Sequence, residues 1–91
     1  MSAPLVRAVQ ISNRRGLHAR ASAKFVTLAS GQTAAIVVEK DGSRVDGTSI
    51  MGLMMLGAAM GDSITISASG KDADRALTAL CELVEAKFGE E

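Results

Sequence analysis

The sequence TAAIVVEKDGSRVD, residues 33–46, contains two β-strand patterns joined by the pair Asp41-Gly42. Residues 33–39 are rich in β-branched side chains, and residues 43–46 form a shorter second run. Asp-Gly is typical of a two-residue hairpin turn, because both central positions of that turn need a positive φ. The stretch therefore predicts a β-hairpin near the middle of the chain.

One strand and one helix are predicted before this hairpin. Residues 5–11, LVRAVQI, have the composition of a strand and end at a cluster of turn-forming residues. From residue 18 to residue 30, apolar and small residues recur at helical spacing, and Gly31 follows as a stop signal. The helix face defined by this spacing carries Ser22, Phe25, Val26 and Ala29.

A short helix, a strand and a longer helix are predicted after the hairpin. The short helix covers residues 50–56, with Thr48 or Ser49 as its N-cap. Residues 63–69 alternate apolar side chains with hydroxyls, the pattern of a strand with one buried face. The last helix has an apolar stripe that consists of Ala73, Ala76, Leu77, Leu80, Val84 and Phe88.

The predicted order of elements, βαββαβα, fits an α+β fold. We expect a two-layer open-faced sandwich, in which a four-stranded antiparallel sheet carries three helices on one face. A length of 91 residues predicts a single domain over residues 1–91. The longest weakly polar run, residues 50–60, covers about half of the roughly 20 residues that span a bilayer, so no membrane insertion is expected.

The formal net charge is zero, but the two halves of the chain differ in charge. Residues 1–38 contain five basic and no acidic side chains, whereas residues 39–91 contain five basic and ten acidic ones. This asymmetry indicates that the first half meets an anionic partner or ligand. Only two aromatic residues are present, which disfavours nucleic-acid binding by base stacking. The single cysteine, Cys81, favours a reducing, cytoplasmic compartment.

The only histidine, His18, stands at the start of the first predicted helix. A helix start has unpaired backbone N–H groups and a partial positive charge, which together attract a phosphoryl group. Arg20 adds a planar set of donors that matches phosphate oxygens. No acidic residue lies within twenty positions of His18, so neither a local acid–base pair nor a metal site is predicted. We interpret His18 as a phosphoryl acceptor, the alternative being an ordinary capping or surface residue.

Two segments resemble signatures of the HPr family, the histidine phosphocarriers of the bacterial sugar phosphotransferase system. Residues 13–21, NRRGLHARA, resemble the family's active-site signature, and residues 48–57, TSIMGLMMLG, resemble its serine-site signature. The spacing between the two segments and the order of the elements also agree, so the resemblance covers essentially the whole chain. One departure is Ala21, where the family usually has proline; it leaves an additional N–H near the expected phosphoryl site.

The resemblance implies a phosphoryl carrier rather than a stand-alone catalyst. Enzyme I would place a phosphoryl group on Nδ1 of His18, which would pass it to an EIIA-type acceptor domain, while Arg20 would stabilise the phosphoryl oxygens. A carrier in the nitrogen-related regulatory branch of the same system is the alternative. No cofactor and no metal ion are implied. A free-standing hydrolase is unsupported, because no pocket or acid–base pair is visible in the sequence.

Ser49 has a structural and a regulatory interpretation. It is a predicted helix N-cap, and by resemblance it is the serine that an HPr kinase/phosphorylase modifies. Phosphorylation would add about −1.5 to −2 charges to a surface that meets an acidic partner, and would weaken docking. A binding module regulated through Ser49 phosphorylation is therefore a different class of function for this chain.

An apolar docking surface is predicted beside His18. Four of the five methionines lie between residues 51 and 60, and Ile50, Met51, Met54 and Met55 cannot all face inward on one short helix. Exposed methionines suit a surface that adapts to several partners. The protein is expected to be a monomer whose docking residues are Leu17, Lys24, Ile50, Met51, Met54 and Met55.

Overall fold

The structure is a computed structural model that describes residues 3–90. Its strands are β1 (Leu5–Gln10), β2 (Ala35–Lys40), β3 (Ser43–Asp46) and β4 (Ser63–Ser69). Its helices are α1 (Ala19–Ser30), α2 (Ile50–Met55) and α3 (Ala73–Glu85), followed by a 3₁₀ turn at Lys87–Gly89. The strands form one antiparallel sheet in the order β1-β4-β2-β3. The predicted α+β open-faced sandwich is confirmed.

The central hairpin forms as its sequence predicts. Lys40 pairs with Ser43, and the two residues between them, Asp41 and Gly42, have φ angles of 51° and 84°. Positive φ at both central positions is the geometry that Asp-Gly pairs favour. The turn fixes the register of β2 on β3, which places the following segment, including α2, at the edge of the sheet.

The core lies between the sheet and the helices. In β4 the side chains of Ile64, Ile66 and Ala68 are buried, and the intervening hydroxyl residues lie on the opposite face of the sheet. Phe25 of α1 and Leu80 of α3 are fully buried against this apolar face. The apolar side chains that alternate along the strand and those that recur at helical spacing thus pack together in one apolar layer.

The last helix is shorter than its apolar stripe predicts. The stripe extends to Phe88, but α3 ends at Glu85, and Lys87 and Phe88 have φ angles of 59° and 56°. This left-handed backbone reverses the chain, so Phe88 enters the core from a turn and is 1% exposed. Phe88 is correctly predicted as buried and wrongly predicted as helical. As a result, the chain after α3 runs back toward the start of α1.

Smaller differences concern the ends of elements. β2 begins at Ala35 rather than at residue 33, since the hydroxyl of Thr33 donates a hydrogen bond to the backbone oxygen of Lys71 instead of extending the strand. Among residues 3–90, no helix has the length and apolar character required to cross a membrane.

Candidate functional site

The loop before α1 depends on a glycine at position 16. Gly16 has a φ of 62°, and a Cβ at this position would lie 2.3 Å from the backbone oxygen of Ala58. The same oxygen accepts a hydrogen bond from the N–H of Leu17, with 3.0 Å between nitrogen and oxygen. The close approach of these two backbone segments sets the position of His18 at the start of α1.

Replacing Gly16 with alanine is expected to lower the free energy of unfolding by about 2–5 kcal/mol. The left-handed conformation costs a non-glycine residue about 1–2 kcal/mol, and the clash with Ala58 adds about 1–3 kcal/mol. Gly57→Ala is the matched control, because Gly57 has a φ of 63° and a Cβ added there would meet no atom within 4 Å. Urea unfolding of the two variants measures the difference, and equal losses would show that the contact with Ala58 adds nothing.

His18 is the N-cap of α1. Its backbone is extended, with φ −72° and ψ 177°, and its Nδ1 accepts a hydrogen bond from the backbone N–H of Arg20 at 3.2 Å. Its backbone oxygen accepts from the N–H of Ser22, the first bond of the helix. No acidic side chain lies in the first turn of α1. The predicted position of His18 at a helix start is confirmed, and Nδ1 is the ring nitrogen that faces the N–H groups of that start.

The other ring nitrogen of His18 contacts a carboxylate that lies 72 positions away in the sequence. Nε2 of His18 is hydrogen-bonded to Oε2 of Glu90. The buried side chain of Asn13 donates to Oε1 of Glu90 at 3.1 Å and to the backbone oxygen of Gly16 at 2.8 Å. Glu90 was not predicted as a site residue, because it lies 72 positions from His18 in the sequence. The one usable signal is Phe88, an apolar residue that must return to the core just before Glu90.

The surroundings of Glu90 favour its charged form. Its pKa lies below the ordinary value, mainly because of the hydrogen bond with His18, and further through Asn13 and the positive charge of Arg15, whereas partial desolvation opposes this shift. Because the pKa of Glu90 is lowered, the contact stabilises the fold at pH values above 4.5, the ordinary pKa of this carboxyl. This stabilisation is lost as the pH falls through the lowered pKa.

Lys24 and Arg20 occupy different positions in the site. The Nζ of Lys24 donates to the backbone oxygen of Phe88 at 2.7 Å, so this side chain fastens the C-terminal turn to α1. Arg20 lies on the exposed side of the first turn, two residues after His18.

Ser49, rather than Thr48, is the N-cap of α2. The Oγ of Ser49 accepts a hydrogen bond from the N–H of Gly52 at 3.0 Å. The hydroxyl and the backbone N–H of Thr48 both donate instead to Asp46, and these bonds lower the pKa of the Asp46 carboxyl. The side chain of Ser49 is partly exposed. The structural interpretation of Ser49 is thus confirmed.

Removing this cap is expected to destabilise the protein. Ser49→Ala should lower the free energy of unfolding by about 1 kcal/mol, because the N–H of Gly52 loses its acceptor. Ser49→Asp is the control, since its carboxylate keeps a cap acceptor and suits the positive end of a helix. Thermal unfolding followed by circular dichroism compares the three proteins. An alanine variant as stable as the wild type would contradict the role of the cap.

The predicted docking residues divide into exposed ones and one that is buried. On α2, Met51 and Met55 are 73% and 81% exposed, and Met54 and Ile50 are also exposed. The helix that carries them, α2, packs against α1, whose N-cap is His18. Leu17 is only 5% exposed, because its backbone bond to Ala58 turns the side chain into the core. The assignment of Leu17 to a docking surface is therefore wrong.

A further exposed methionine was not among the predicted docking residues. Met60 follows α2 in the loop before β4 and is 58% exposed. It lies beyond the predicted short helix, so the limit on inward positions within that helix did not apply to it.

Comparisons with known proteins agree with this geometry. Residues 5–86 match the family model described as PTS HPr component phosphorylation site. The chain is 48% identical to the phosphocarrier protein HPr of Neisseria meningitidis serogroup A over 94% of this chain and 97% of that protein. It is 46% identical to the phosphocarrier protein NPr of Shewanella violacea over 94% of both chains. The crystal structure of HPr-C-His from Thermoanaerobacter tengcongensis superposes with a TM-score of 0.91 at 46% identity, over 96% of this chain and 98% of that one. This chain therefore belongs to the HPr family of phosphocarrier proteins of the phosphotransferase system.

Proposed function

We propose that residues 1–91 act as one cytoplasmic domain that carries a phosphoryl group on Nδ1 of His18. The donor is phosphorylated Enzyme I, and the acceptor is an EIIA-type domain. One observation carries the proposal: His18 caps α1 with Nδ1 directed at the N–H of Arg20, at a helix end that is built to receive an anion. Family membership supports the general role of phosphocarrier.

The transfer needs positioning and charge stabilisation rather than a catalytic base. The lone pair of Nδ1 attacks the phosphorus, an N–P bond forms at His18, and the bond between phosphorus and the donor atom breaks, with its electron pair left on the donor. The N–H of Arg20, which bonds Nδ1 in the unphosphorylated protein, can then donate to a phosphoryl oxygen, and the Arg20 guanidinium adds further donors. The onward step is the reverse, with the electron pair returning to Nδ1. The chain is thus a carrier and not a stand-alone catalyst.

Docking of both partners is assigned to the exposed apolar side chains of α2. Ile50, Met51, Met54 and Met55 form this docking surface, and Lys24 and Arg20 supply positive charge at its border. Methionine side chains adapt to differently shaped surfaces, which suits a carrier that meets a donor and an acceptor in turn. Leu17 is not part of this surface, because it is buried.

The test is to map the phosphate after incubation of the protein with Enzyme I and phosphoenolpyruvate. We expect one acid-labile phosphate in the peptide that contains His18, and its disappearance when an EIIA domain is added. Protein that remains unphosphorylated, or phosphate at another residue, would overturn the proposal. The EIIA domain that accepts fastest distinguishes sugar uptake from the nitrogen-related branch, which stays the alternative.

Ser49 is the proposed regulatory phosphosite. Its partly exposed hydroxyl stands one residue before Ile50, so a phosphate there would place negative charge beside the docking surface. Incubation with an HPr kinase/phosphorylase and ATP should phosphorylate Ser49 and slow phosphoryl uptake from Enzyme I. A Ser49-phosphorylated form that binds a regulator, with His18 dispensable, would instead favour the regulatory binding module.

A further inference from the structure

The two most exposed large apolar side chains among residues 3–90 are methionines of α2. Met51 is 73% and Met55 81% exposed, and one helical turn separates them, so they lie on the same face of the helix. Both belong to the docking surface proposed above, whose other members are Ile50 and Met54. A partner that docks on this surface must therefore cover two thioether sulfurs that are open to the solvent in the free protein.

The cysteine of the chain is not open to oxidants in the same way. Cys81 lies in α3 and is fully buried in the hydrophobic core. Burial raises the pKa of its thiol, although the charge and hydrogen bond of Arg7 oppose this shift, so little of the reactive thiolate is present. An oxidant in solution therefore meets the thioethers of α2 before it meets the thiol.

Oxidation of Met51 and Met55 should act on docking and leave the fold intact. The helix α2 is attached to the core through Leu53 and Leu56, which are buried, whereas the two methionines are exposed. Oxidation converts each thioether to a polar sulfoxide, which water solvates as long as the side chain stays exposed. In an apolar interface the sulfoxide loses this water, and binding becomes weaker.

We propose that Met51 and Met55 are a reversible oxidation site, at which a peroxide weakens the docking of Enzyme I and of the EIIA-type domain. The proposal rests on the proposed function, because it assigns the effect to the docking surface on α2. A sulfur lone pair attacks one peroxide oxygen, an S–O bond forms and the O–O bond breaks. With hydrogen peroxide, the leaving hydroxide takes the proton of the transferred oxygen and departs as water. The sulfur loses two electrons to the peroxide, and a dithiol-dependent reductase returns them when the sulfoxide oxygen leaves as water and the dithiol becomes a disulfide.

The oxidation site can be mapped without any phosphoryl donor. After brief treatment with hydrogen peroxide, mass mapping of peptides should find sulfoxide at Met51 and Met55 before Met54, whose side chain is 44% exposed. The free energy of unfolding in urea should equal that of the untreated protein. Oxidation of Met54 ahead of the other two, or unfolding when Met51 and Met55 are oxidised, would overturn the proposal.

The docking test measures phosphoryl uptake from phosphorylated Enzyme I after the peroxide has been removed. Oxidation of Met51 and Met55 should raise KM about tenfold, with kcat near that of the untreated protein, because each sulfoxide is buried in the complex without a hydrogen-bond partner. Methionine sulfoxide reductases for both sulfoxide epimers, supplied with a dithiol, should restore KM. An unchanged KM after oxidation, or a raised KM that the reductases do not reverse, would overturn the proposal.

Two leucine variants separate the docking surface from the other exposed methionine. The double variant Met51→Leu/Met55→Leu keeps apolar side chains but has no thioether at either position, so peroxide should leave its KM unchanged. Met60→Leu is the matched control, because Met60 is exposed but follows α2 and lies outside the docking surface. Peroxide should raise the KM of this control as it does that of the wild type.

A double variant whose KM rises with peroxide as in the wild type would overturn the proposal, since another sulfur would then carry the effect. If even the wild type takes up no phosphate on His18, the proposed function fails. The affinity for Enzyme I, measured by calorimetry before and after oxidation, then still shows whether the sulfoxides weaken docking.

Discussion

The His18→Asn protein is expected to take up no acid-labile phosphate from Enzyme I and phosphoenolpyruvate, even with prolonged incubation. Asparagine can keep the N-cap bond to the backbone N–H of Arg20, but it has no nitrogen lone pair that can form the N–P bond. The loss should therefore be complete rather than partial. Phosphate incorporation, followed by native gel mobility and by mass, is the measurement.

The choice of asparagine separates the loss of the phosphoryl acceptor from a loss of stability. His18→Ala removes the helix cap as well as the phosphoryl acceptor and should also lower the free energy of unfolding by about 1 kcal/mol. The free energy of unfolding of His18→Asn should be close to that of the wild type. Arg20→Ala leaves the imidazole in place, so it should still be phosphorylated, but more slowly. A His18→Asn protein that still acquires acid-labile phosphate would exclude His18 as the acceptor.

Much of the fold follows from local sequence patterns. The hairpin at Asp41-Gly42 needs two positive φ angles that this pair adopts readily. The strand β3 has the predicted bounds of the short run after this turn, and β4 has the bounds that its alternation predicts. The position of His18 at a helix start is likewise a local property, because it depends on where the helical spacing begins. Such features depend on residues that are close to each other in the sequence.

The C-terminal part of the site depends on contacts that no local pattern contains. Lys87 and Phe88 adopt left-handed backbone angles although neither is glycine, and this conformation persists because burial of Phe88 and the bond from Lys24 stabilise it. A helical continuation through Phe88 is the natural expectation from the apolar stripe alone. Since Glu90 reaches His18 only through this reversal, the sequence predicts the burial of Phe88 just before it but not the contact of Glu90 with His18.

The case of Leu17 has the same origin. As a neighbour of His18 it is expected at the surface, yet the tight approach of Gly16 to Ala58 turns the Leu17 side chain inward. By contrast, Met51 and Met55 could be placed at the surface from the sequence, because one short helix has too few inward positions for all its methionines. The exposure of a side chain was predictable where helix geometry limits the number of inward positions. It was not predictable where a long-range backbone contact determines the direction of the side chain.

Replacing Phe88 with alanine is expected to lower the free energy of unfolding by about 3–5 kcal/mol, since the side chain is 1% exposed and its removal leaves a cavity. For a domain of this size that is a large part of a total stability of about 5–15 kcal/mol. Phe25→Ala should cost a similar amount, because Phe25 is equally buried. Urea unfolding of the two variants provides both values.

The two variants should differ at His18. Phe25 lies inside α1, so the protein that remains folded after Phe25→Ala keeps the turn that carries Glu90. Phe88→Ala removes the anchor of that turn, so its folded fraction should lose the hydrogen bond between Nε2 of His18 and Glu90, which NMR of the imidazole nitrogens measures. Unchanged imidazole nitrogen signals in Phe88→Ala would mean that the bonds from Asn13 and Lys24 hold the turn without the buried ring. The same measurement thus separates a general loss of stability from the specific release of Glu90, because only the release of Glu90 changes the hydrogen bonding of the His18 imidazole.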